Sequence, residues 1–465
     1  MIKLHEHQDE TLQSIYASTD SGRIVIPTGG GKTLVEAYSL RNTINEDYDK
    51  HEIHLVLAPR IALANQLIRE YRRFIGQNYL AVAFHSGKNE QDYEKVKWFE
   101  TSTTVLDSVL EENERAKRMK KHLVIFSTYH SSHKLNSLNF KTLIADESQY
   151  CVAEGFFHDV QKLNAERKLY FTATERHTDK GTGRGLNNVN VFGNVIYQVA
   201  PKTLIQRGII VPPRLHIMKA NASDDDYSIV DEVINIAKTQ IDLTTSMPVR
   251  KILFALSGTN DVKTIIENVA KIKAINPSFK IFTIVSNSKY GAMVDGNKMG
   301  RGDFMKELRE ADDALIFHYD ILSEGIDIDG ITGVAILRNM KHAKLLQTIG
   351  RAVRVYKANP SLKTCAWVSV STINSDTEWS QHVSEKVIEI RDGGFEVNIE
   401  DIIITDDNNK GIPDDEDLDD VVSEEHKNKL AAVLEDIEHS IETQDKIIQI
   451  SNMSNDEIID ALGEW

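Results

Sequence analysis

Short, continuous apolar runs recur along the first half of the chain, and each ends at a polar or glycine-rich stretch. The clearest of these runs lie within residues 24–26, 54–58, 122–126 and 141–145. A run that is apolar at successive positions, rather than at alternate ones, is typical of a strand buried on both faces of a parallel sheet. Segments with helical apolar spacing follow several of the runs. The pattern predicts an α/β fold in which helices wrap parallel sheets.

The same pattern returns after Tyr197–Pro213, a stretch that ends in two prolines. Further mainly apolar runs lie within residues 251–256, 281–285, 314–319 and 364–370. A chain of 465 residues is long enough for two or three domains with their own cores. We therefore predict a first domain over residues 1–205, a second over 206–375, and a C-terminal extension over 376–465.

The charge of the extension differs from that of the rest of the chain. Residues 396–465 contain 22 Asp or Glu and 4 Lys or Arg, so the preceding 395 residues are close to neutral although the whole chain carries −16. Asp414–Asp420 is predicted to be disordered, and helical patterns with apolar faces follow it. The extension is interpreted as a solubilising linker with a docking helix. Alternatively, it mimics nucleic acid or recruits a protein partner.

Composition indicates a protein of a reducing compartment. No apolar run approaches the length of a membrane span, and the N-terminal residues have no signal-peptide pattern. The two cysteines, Cys151 and Cys365, lack metal-ligand spacing, which argues against a disulfide framework or a zinc site. We expect a cytoplasmic protein with no membrane partner.

Gly22–Thr33, GRIVIPTGGGKT, joins a predicted strand to a predicted helix through a glycine-rich turn. Glycines let backbone N–H groups turn inward, and the helix N-terminus adds a positive dipole end, so the turn is a candidate phosphate-binding loop. Lys32 is expected to reach the β- and γ-phosphates of ATP, and Thr33 to bind Mg²⁺. An ordinary glycine turn is the alternative. The loop also contributes Thr28, Gly29, Gly30 and Gly31.

Two carboxylates follow the apolar run at residues 141–145. A strand that ends in Asp146 and Glu147 supplies what a Mg·ATP site needs, because one carboxylate can hold Mg²⁺ and the other can orient and deprotonate a water. We assign these roles to Asp146 and Glu147, respectively. Thr172-Ala173-Thr174, after another apolar run, supplies hydroxyls that can hydrogen-bond the acidic pair.

In this order the motifs resemble those of superfamily 2 helicases and translocases of the DExH type, and are similar to the Res-III branch. The resemblance covers about residues 1–375 and implies two RecA-like domains with ATP in the cleft between them. The phosphate loop has Ile26 where the strict pattern has glycine, as in many helicase loops. The compact plan resembles phage or bacterial helicases acting on branched DNA, which places the protein in a bacterial or phage-infected cell.

The resemblance also implies roles for individual residues. Gln347–Arg354, QTIGRAVR, matches a motif in which two arginines on one helix face act as arginine fingers. The implied catalytic set is Lys32, Asp146, Glu147, Gln347, Arg351 and Arg354. Gln8 is expected to read adenine, and Gly325 and Asp327 to face the nucleotide. The candidate nucleic-acid contacts are Arg60, Thr128, Tyr129, Ser257 and Ser323.

Together, the motifs and the resemblance imply an ATP- and Mg²⁺-dependent DNA helicase or translocase that acts on single-stranded, duplex or branched DNA. An RNA helicase is the first alternative, because no residue pattern in the sequence recognises or excludes a 2′-hydroxyl. The second is an ATP-gated clamp or defence-complex subunit that recruits an effector through its extension.

Deletion of residues 405–465 tests whether the acidic extension competes with nucleic acid. Removal of a competing negative charge should tighten nucleic-acid binding, most at low salt, where electrostatic attraction is least screened. Fluorescence anisotropy titrations of both chains against labelled DNA measure the change. Equal affinities would refute nucleic-acid mimicry.

Overall fold

The computed structural model describes residues 3–46, 50–86, 98–175, 183–219, 228–285, 290–319, 328–338, 340, 342–371, 386–391, 393–397 and 401–406. These residues form two large sheets, one of eight and one of nine strands, with helices packed on both. Within these ranges, no helix combines the length and the apolar character needed to cross a membrane.

The first sheet is entirely parallel and has the strand order β4-β3-β5-β2-β6-β7-β1-β8. Its strands are β1 (Gly22–Val25), β2 (Ile53–Ala58), β3 (Tyr79–Phe84), β4 (Thr101–Thr103), β5 (His122–Thr128), β6 (Asn139–Ala145), β7 (Asn164–Thr172) and β8 (Asn194–Gln198). Its helices are α1 (Glu6–Ala17), α2 (Lys32–Glu46), α3 (Ile61–Ile75), α4 (Leu106–Arg118), α5 (Tyr129–Ser132), α6 (Glu154–Lys162), α7 (Val189–Phe192) and α8 (Pro201–Gln206).

Both faces of the first sheet are buried. Along β5, Val124 and Phe126 join the core on one face, whereas Leu123 and Ile125 join the core on the other. Successive side chains of a strand point to opposite faces, so a strand covered on both sides is apolar at every position. This is the physical reason for the continuous apolar runs in the sequence.

The second sheet has the order β13-β12-β11-β14-β10-β15-β16-β9-β17 and is parallel except at its β11-β12-β13 edge. Its strands are β9 (Pro213–Lys219), β10 (Arg250–Ala255), β11 (Lys280–Ile284), β12 (Ala292–Val294), β13 (Asn297–Met299), β14 (Asp313–His318), β15 (Ile331–Ile336), β16 (Ala366–Ser371) and β17 (Ile402–Asp406). Its helices are α9 (Ile229–Leu243), α10 (Thr259–Glu267), α11 (Val269–Lys273), α12 (Arg301–Glu310) and α13 (His342–Ala352). The predicted α/β class with parallel sheets wrapped by helices is confirmed.

The antiparallel edge is a hairpin that the apolar pattern did not reveal. β12 and β13 turn at Asp295 and Gly296, whose φ angles are 49° and 80°. Two positive φ angles are characteristic of a tight hairpin turn, and Asp-Gly is a common sequence for it. The Asp295 side chain also accepts a 2.9 Å hydrogen bond from the Ile281 N–H, which ties the turn to β11.

The second sheet extends beyond residue 375, where sequence patterns predicted the end of the domain. β17 pairs in parallel with β9. The buried ring of His216 on β9 joins the neighbouring strands, with Nδ1 2.8 Å from Ser369 Oγ and Nε2 2.8 Å from Thr405 Oγ1. Thr405 therefore belongs to the sheet, so a deletion that tests the extension should start after Asp406. Residues 407–465, including the predicted acidic segment and helices, lie outside the described residues.

Substitution of Arg72 on α3 tests whether buried polar contacts stabilise the first sheet. Its guanidinium donates to the carbonyls of Trp98 and Tyr79 at 3.0 and 2.8 Å and to the Glu100 carboxylate at 3.2 Å. Removal of one partner of a buried ion pair leaves an uncompensated charge, so Arg72→Met should destabilise the protein by about 3–5 kcal/mol. The loss is measured by urea unfolding followed by fluorescence.

The neighbouring Arg73 is the matched control. Its side chain is 66% exposed and contacts Glu70 on the surface. Because exposed ion pairs contribute little, Arg73→Met should change stability by no more than about 0.5 kcal/mol. If both variants unfold at the same urea concentration, Arg72 does not have the stabilising role inferred from its contacts.

Candidate functional site

The glycine-rich turn lies at the carboxyl end of β1, which pairs with β7 and with the edge strand β8 of the first sheet. The Ile26 N–H continues the pairing by donating to the Thr172 carbonyl at 3.0 Å, and the chain then turns through Gly29 at φ 92° into α2, which begins at Lys32. Residues with a Cβ rarely adopt such a positive φ, so glycine is required at this position. The loop and the N-terminus of a four-turn helix together offer backbone N–H groups to an anion.

Lys32 lies between the two predicted catalytic carboxylates. Its Nζ is 2.9 Å from Glu147 Oε1 and 3.8 Å from Asp146 Oδ1, and all three side chains are largely buried. Burial alone would lower the pKa of Lys32, but Glu147 and Asp146 raise it overall. Burial also opposes ionisation of Glu147, and the Lys32 contact lowers its pKa overall. The phosphate loop and the acidic motif are therefore one electrostatic unit.

The acidic motif has an unusual backbone conformation. β6 ends at Ala145, and Glu147 adopts a left-handed conformation with φ 50° and ψ 53°. The Asp146 carboxylate accepts the Glu147 N–H at 2.9 Å, which closes the turn. A non-glycine residue in this region costs about 1–3 kcal/mol, and such residues cluster at functional sites. Here the conformation brings the Glu147 carboxylate to Lys32.

A hydrogen-bond chain runs from the end of β7 to Glu147. Thr172 Oγ1 donates to Gln149 Oε1 at 2.8 Å, and Gln149 Nε2 donates to Glu147 Oε2 at 2.8 Å. The sequence predicted that hydroxyls of the 172–174 stretch would bond the acidic pair. The structure shows instead that Thr172 acts through Gln149.

The second sheet contributes directly to this site. Gln347 on α13 donates from Nε2 to Glu147 Oε2 at 3.3 Å. On the same helix, Gly350 packs so closely against the loop that an added Cβ would lie 2.4 Å from Thr28 Cβ. Glu147 is thus contacted by Lys32 from one side of the cleft and by Gln347 from the other.

The two predicted arginine fingers do not share a helix face. α13 ends at Ala352, so Arg351 is helical, whereas Arg354 forms an antiparallel bridge with Ile210. The Arg354 Cγ lies beside the phosphate loop, 3.6 Å from where a Cβ on Gly29 would be. The sequence spacing suggested a continuing helix, but pairing with the segment that connects the two sheets ends it.

Gln8 contacts the phosphate loop, and so does a residue that sequence analysis did not single out. Gln8 Nε2 donates to the Gly30 carbonyl at 3.3 Å, and the ring of His7 approaches the same carbonyl with Nε2 at 2.7 Å. A carbonyl oxygen only accepts, so His7 Nε2 carries a hydrogen. Burial lowers the pKa of His7 and favours its neutral form. The position of His7 next to Gln8 in the sequence was the signal that could have identified this contact. The predicted adenine contact of Gln8 stays a prediction.

The carboxylates beside Lys32 suit a divalent cation. Burial raises the pKa of Asp146 to about 6, and burial together with Asp146 raises that of Glu36 well above its ordinary value. A cation would offset the cost of ionising these adjacent buried acids. Of the two predicted ligands, Thr33 directly follows Lys32 on α2, and Asp146 Oδ1 lies 3.8 Å from Lys32 Nζ. The residues therefore fit Mg²⁺.

The candidate nucleic-acid contacts differ in exposure. Arg60 is exposed at the start of α3, and Ser257 is exposed after β10, where it hydrogen-bonds Asp261. The remaining predicted site residues, Ser323, Gly325 and Asp327, lie outside the described residues.

The predictions for Thr128 and Tyr129 are corrected by the structure. Both side chains are buried, and the Tyr129 hydroxyl donates to the Asp146 carbonyl at 2.7 Å. Tyr129 therefore supports the acidic motif from within the protein core. The exposed residue of this turn is His130, whose ring packs edge-on against Phe156 at 4.7 Å between centroids.

Residues 1–177 match the family described as the Type III restriction enzyme, res subunit. No curated protein matches the chain by sequence. The motifs recognised in the sequence, from the glycine-rich turn to the acidic pair and Thr172, all fall within the matched residues. The predicted Res-III resemblance is confirmed.

Solved structures extend the similarity to most of the chain. The restriction-modification enzyme LlaBIII bound to DNA is 15% identical with a TM-score of 0.67, and a nuclease-deletion mutant of LlaGI with a DNA substrate mimic is 16% identical with a TM-score of 0.59. They match 93% and 86% of this chain, which spans 33% and 30% of theirs, about a third of their length.

A third similar structure is Dbp5 from S. cerevisiae bound to RNA and ADP BeF3. It is 14% identical with a TM-score of 0.55, and the match covers 93% of this chain and 94% of Dbp5. At such identities these likenesses establish the fold. The two sheets with their helices are the RecA-like arrangement that the motifs implied.

The role of Glu147 is tested by Glu147→Gln. This substitution keeps the side-chain shape but removes the base, so kcat for ATP hydrolysis should fall about 100-fold or more while ATP binding persists. Turnover is measured by phosphate release and binding with a fluorescent ATP analogue. Glu166→Gln, at an exposed glutamate that pairs with Lys141, is the control and should leave both values unchanged. Near-normal turnover by Glu147→Gln would rule out Glu147 as the base.

Proposed function

We propose that this chain, whose first 177 residues form a Res-III domain of the superfamily 2 helicase type, is an ATP-driven motor that moves along or remodels DNA. One observation carries the proposal: Glu147 contacts Lys32 of the phosphate loop and Gln347 of the second sheet. A base held by both halves of a cleft acts only when the halves are together, which is what links hydrolysis to movement.

In this proposal, the glycine-rich loop of residues 29–31, through the N–H groups of Gly29 and Gly31, and Lys32 hold the phosphates of ATP, while the Gly30 N–H closes the turn on the Pro27 carbonyl. Asp146 and Thr33 hold Mg²⁺, which supplies charge neutralisation at the phosphates when bound. Glu147 orients a water and takes its proton. Arg351 lies on α13, and Arg354 lies two residues after the end of this helix. Their positive charges stabilise the transferring phosphoryl group.

Closure and opening of the cleft are proposed to move the nucleic acid. Among the described residues, contacts between the two halves include the hydrogen bond from Gln347 to Glu147 and the close packing of Gly350 on Thr28, and a small separation would break both. Packed contacts of this kind favour two discrete arrangements over a continuous range. Arg60 and Ser257, one beside each sheet, are exposed and are proposed to contact nucleic acid. Ser323 is proposed as a further contact from its motif alone.

DNA is the proposed substrate, because the two neighbours with the higher TM-scores are enzymes in complex with DNA or a DNA mimic. The likeness to Dbp5, which is bound to RNA, keeps an RNA motor as the competing outcome. We place the first RecA-like unit at residues 1–205 and the second from 206 through β17. We further propose that the motor acts on branched DNA. Residues 407–465 are proposed to recruit a protein partner.

Steady-state ATP hydrolysis measured with different nucleic acids tests the proposal. Assays contain no nucleic acid, single-stranded DNA, duplex DNA, a four-way DNA junction or RNA, each with Mg²⁺ in excess of ATP. We expect stimulation of at least about 10-fold by DNA, greatest with the junction, because bound nucleic acid should stabilise the closed cleft. Lys32→Ala is the control for contaminating ATPases and should have no turnover.

The alternatives give different results in the same assay. Stimulation by RNA alone would replace the DNA motor with an RNA motor. Tight nucleic-acid binding with no stimulation by any substrate would refute the motor and favour the ATP-gated clamp. Strand displacement and triplex displacement assays on the stimulating substrate then separate unwinding from translocation.

A further inference from the structure

The segment that carries Arg354 leaves α13 in an irregular conformation, yet three successive carbonyls there are hydrogen-bonded. Val353 O accepts the Val211 N–H at 2.8 Å. The carbonyls of Ala352 and Arg354, on either side, both accept from Lys363 Nζ, the latter at 2.6 Å. The last carbonyls of a helix have no partner within it, so these bonds decide where the chain goes next.

Lys363 reaches this position from the residue after a short 3₁₀ turn, Pro360–Leu362. Its side chain is buried, with 4% of the residue exposed, and Nζ also donates to the Ile331 carbonyl on β15 at 2.7 Å. The amine therefore joins the end of α13 to the sheet behind it. An ammonium group has three hydrogens, and it has three carbonyl acceptors here.

Burial lowers the pKa of Lys363 to about 7, a shift that Cys365 and Asp329 oppose and Arg354 reinforces. At slightly acidic pH the ammonium form supplies a hydrogen to each of the three carbonyls. A buried charge with complete hydrogen bonding is costly to create and costly to disturb. If the side chain at this position only filled space in the core, an apolar residue would do so without the cost of burying a charge.

We propose that Lys363 is a positioning residue that holds Arg354 against the phosphate loop by fixing the backbone on both sides of Val353. The proposal rests on the motor function described above, in which Arg354 is an arginine finger. Ile210, which bridges to Arg354, also lies at the loop: a Cβ on Gly29 would be 2.9 Å from Ile210 Cγ2. The Arg354 segment is thus held by Lys363 on one side and by Ile210 of the connecting segment on the other.

Lys363→Met tests this role, with Lys251→Met as the matched control. Lys251 is a buried lysine on β10 of the second sheet, and its Nζ donates to the Arg309 carbonyl at 3.2 Å. DNA-stimulated ATP hydrolysis is measured at pH 6.5 on the full chain. We expect kcat of Lys363→Met to fall about 10- to 100-fold with KM for ATP changed less than about 3-fold, because a finger acts in the transition state and not in substrate binding. Lys363→Arg, which keeps the charge, should recover part of the loss.

A double-mutant cycle with Arg354→Ala separates positioning from general loss of structure. If Lys363 acts through Arg354, Lys363→Met should lower the single-turnover rate of the Arg354→Ala protein by less than about 2-fold. A loss in that background as large as in the wild type would overturn the proposal. So would a Lys363→Met kcat equal to that of Lys251→Met.

The binding of ADP with aluminium fluoride, a mimic of the transferring phosphoryl group, provides a reading that does not depend on residual turnover. Lys363→Met should weaken this binding about 10-fold and leave that of ADP alone unchanged; equal weakening of both would overturn the proposal. These outcomes can be told apart from a failure of the proposed motor function, because in that case the wild-type protein itself would show no nucleic-acid-stimulated hydrolysis.

Discussion

The contact between Lys32 and Glu147 is the constraint on which the arrangement of the first sheet depends. Both groups are largely buried, so each needs the other to offset the loss of hydration. Strand order makes the contact possible: β7 lies between β1 and β6, so the phosphate loop and the acidic turn leave the same sheet edge two strands apart. Thr172, at the end of β7, occupies the space between them and joins the acidic turn through Gln149.

The site is completed by elements that lie far away in sequence. Gln347 reaches Glu147, Gly350 packs on Thr28, and the connecting segment at Ile210 lies between the loop and Arg354. Each of these contacts needs the two sheets at one relative position. A change in that position therefore alters the base and the arginine segment together, which is the physical basis for coupling chemistry to movement in the proposed motor.

Several errors of sequence interpretation share one cause. The spacing of Arg351 and Arg354 fits a helix face, and a tyrosine next to hydroxyls fits a nucleic-acid contact, but local patterns do not show which neighbour competes for a group. In the structure the segment around Ile210 pairs with Arg354, and the Asp146 carbonyl accepts from Tyr129. By contrast, the Asp295-Gly296 hairpin had a local signal, because the turn depends on those two residues.

The sequence by itself determined the fold class, the phosphate loop, the acidic pair and the resemblance to Res-III helicases, because these depend on apolar periodicity and on short motifs whose residues are adjacent in the chain. The tertiary structure alone decided that Glu147 is left-handed, that Tyr129 is buried, that β17 extends the second sheet, and that Lys363 holds the Arg354 segment. These features arise from burial and from contacts between residues that are between 9 and 189 positions apart in the chain. No local pattern specifies such partners, because the energy that selects them exists only once the sheets have packed.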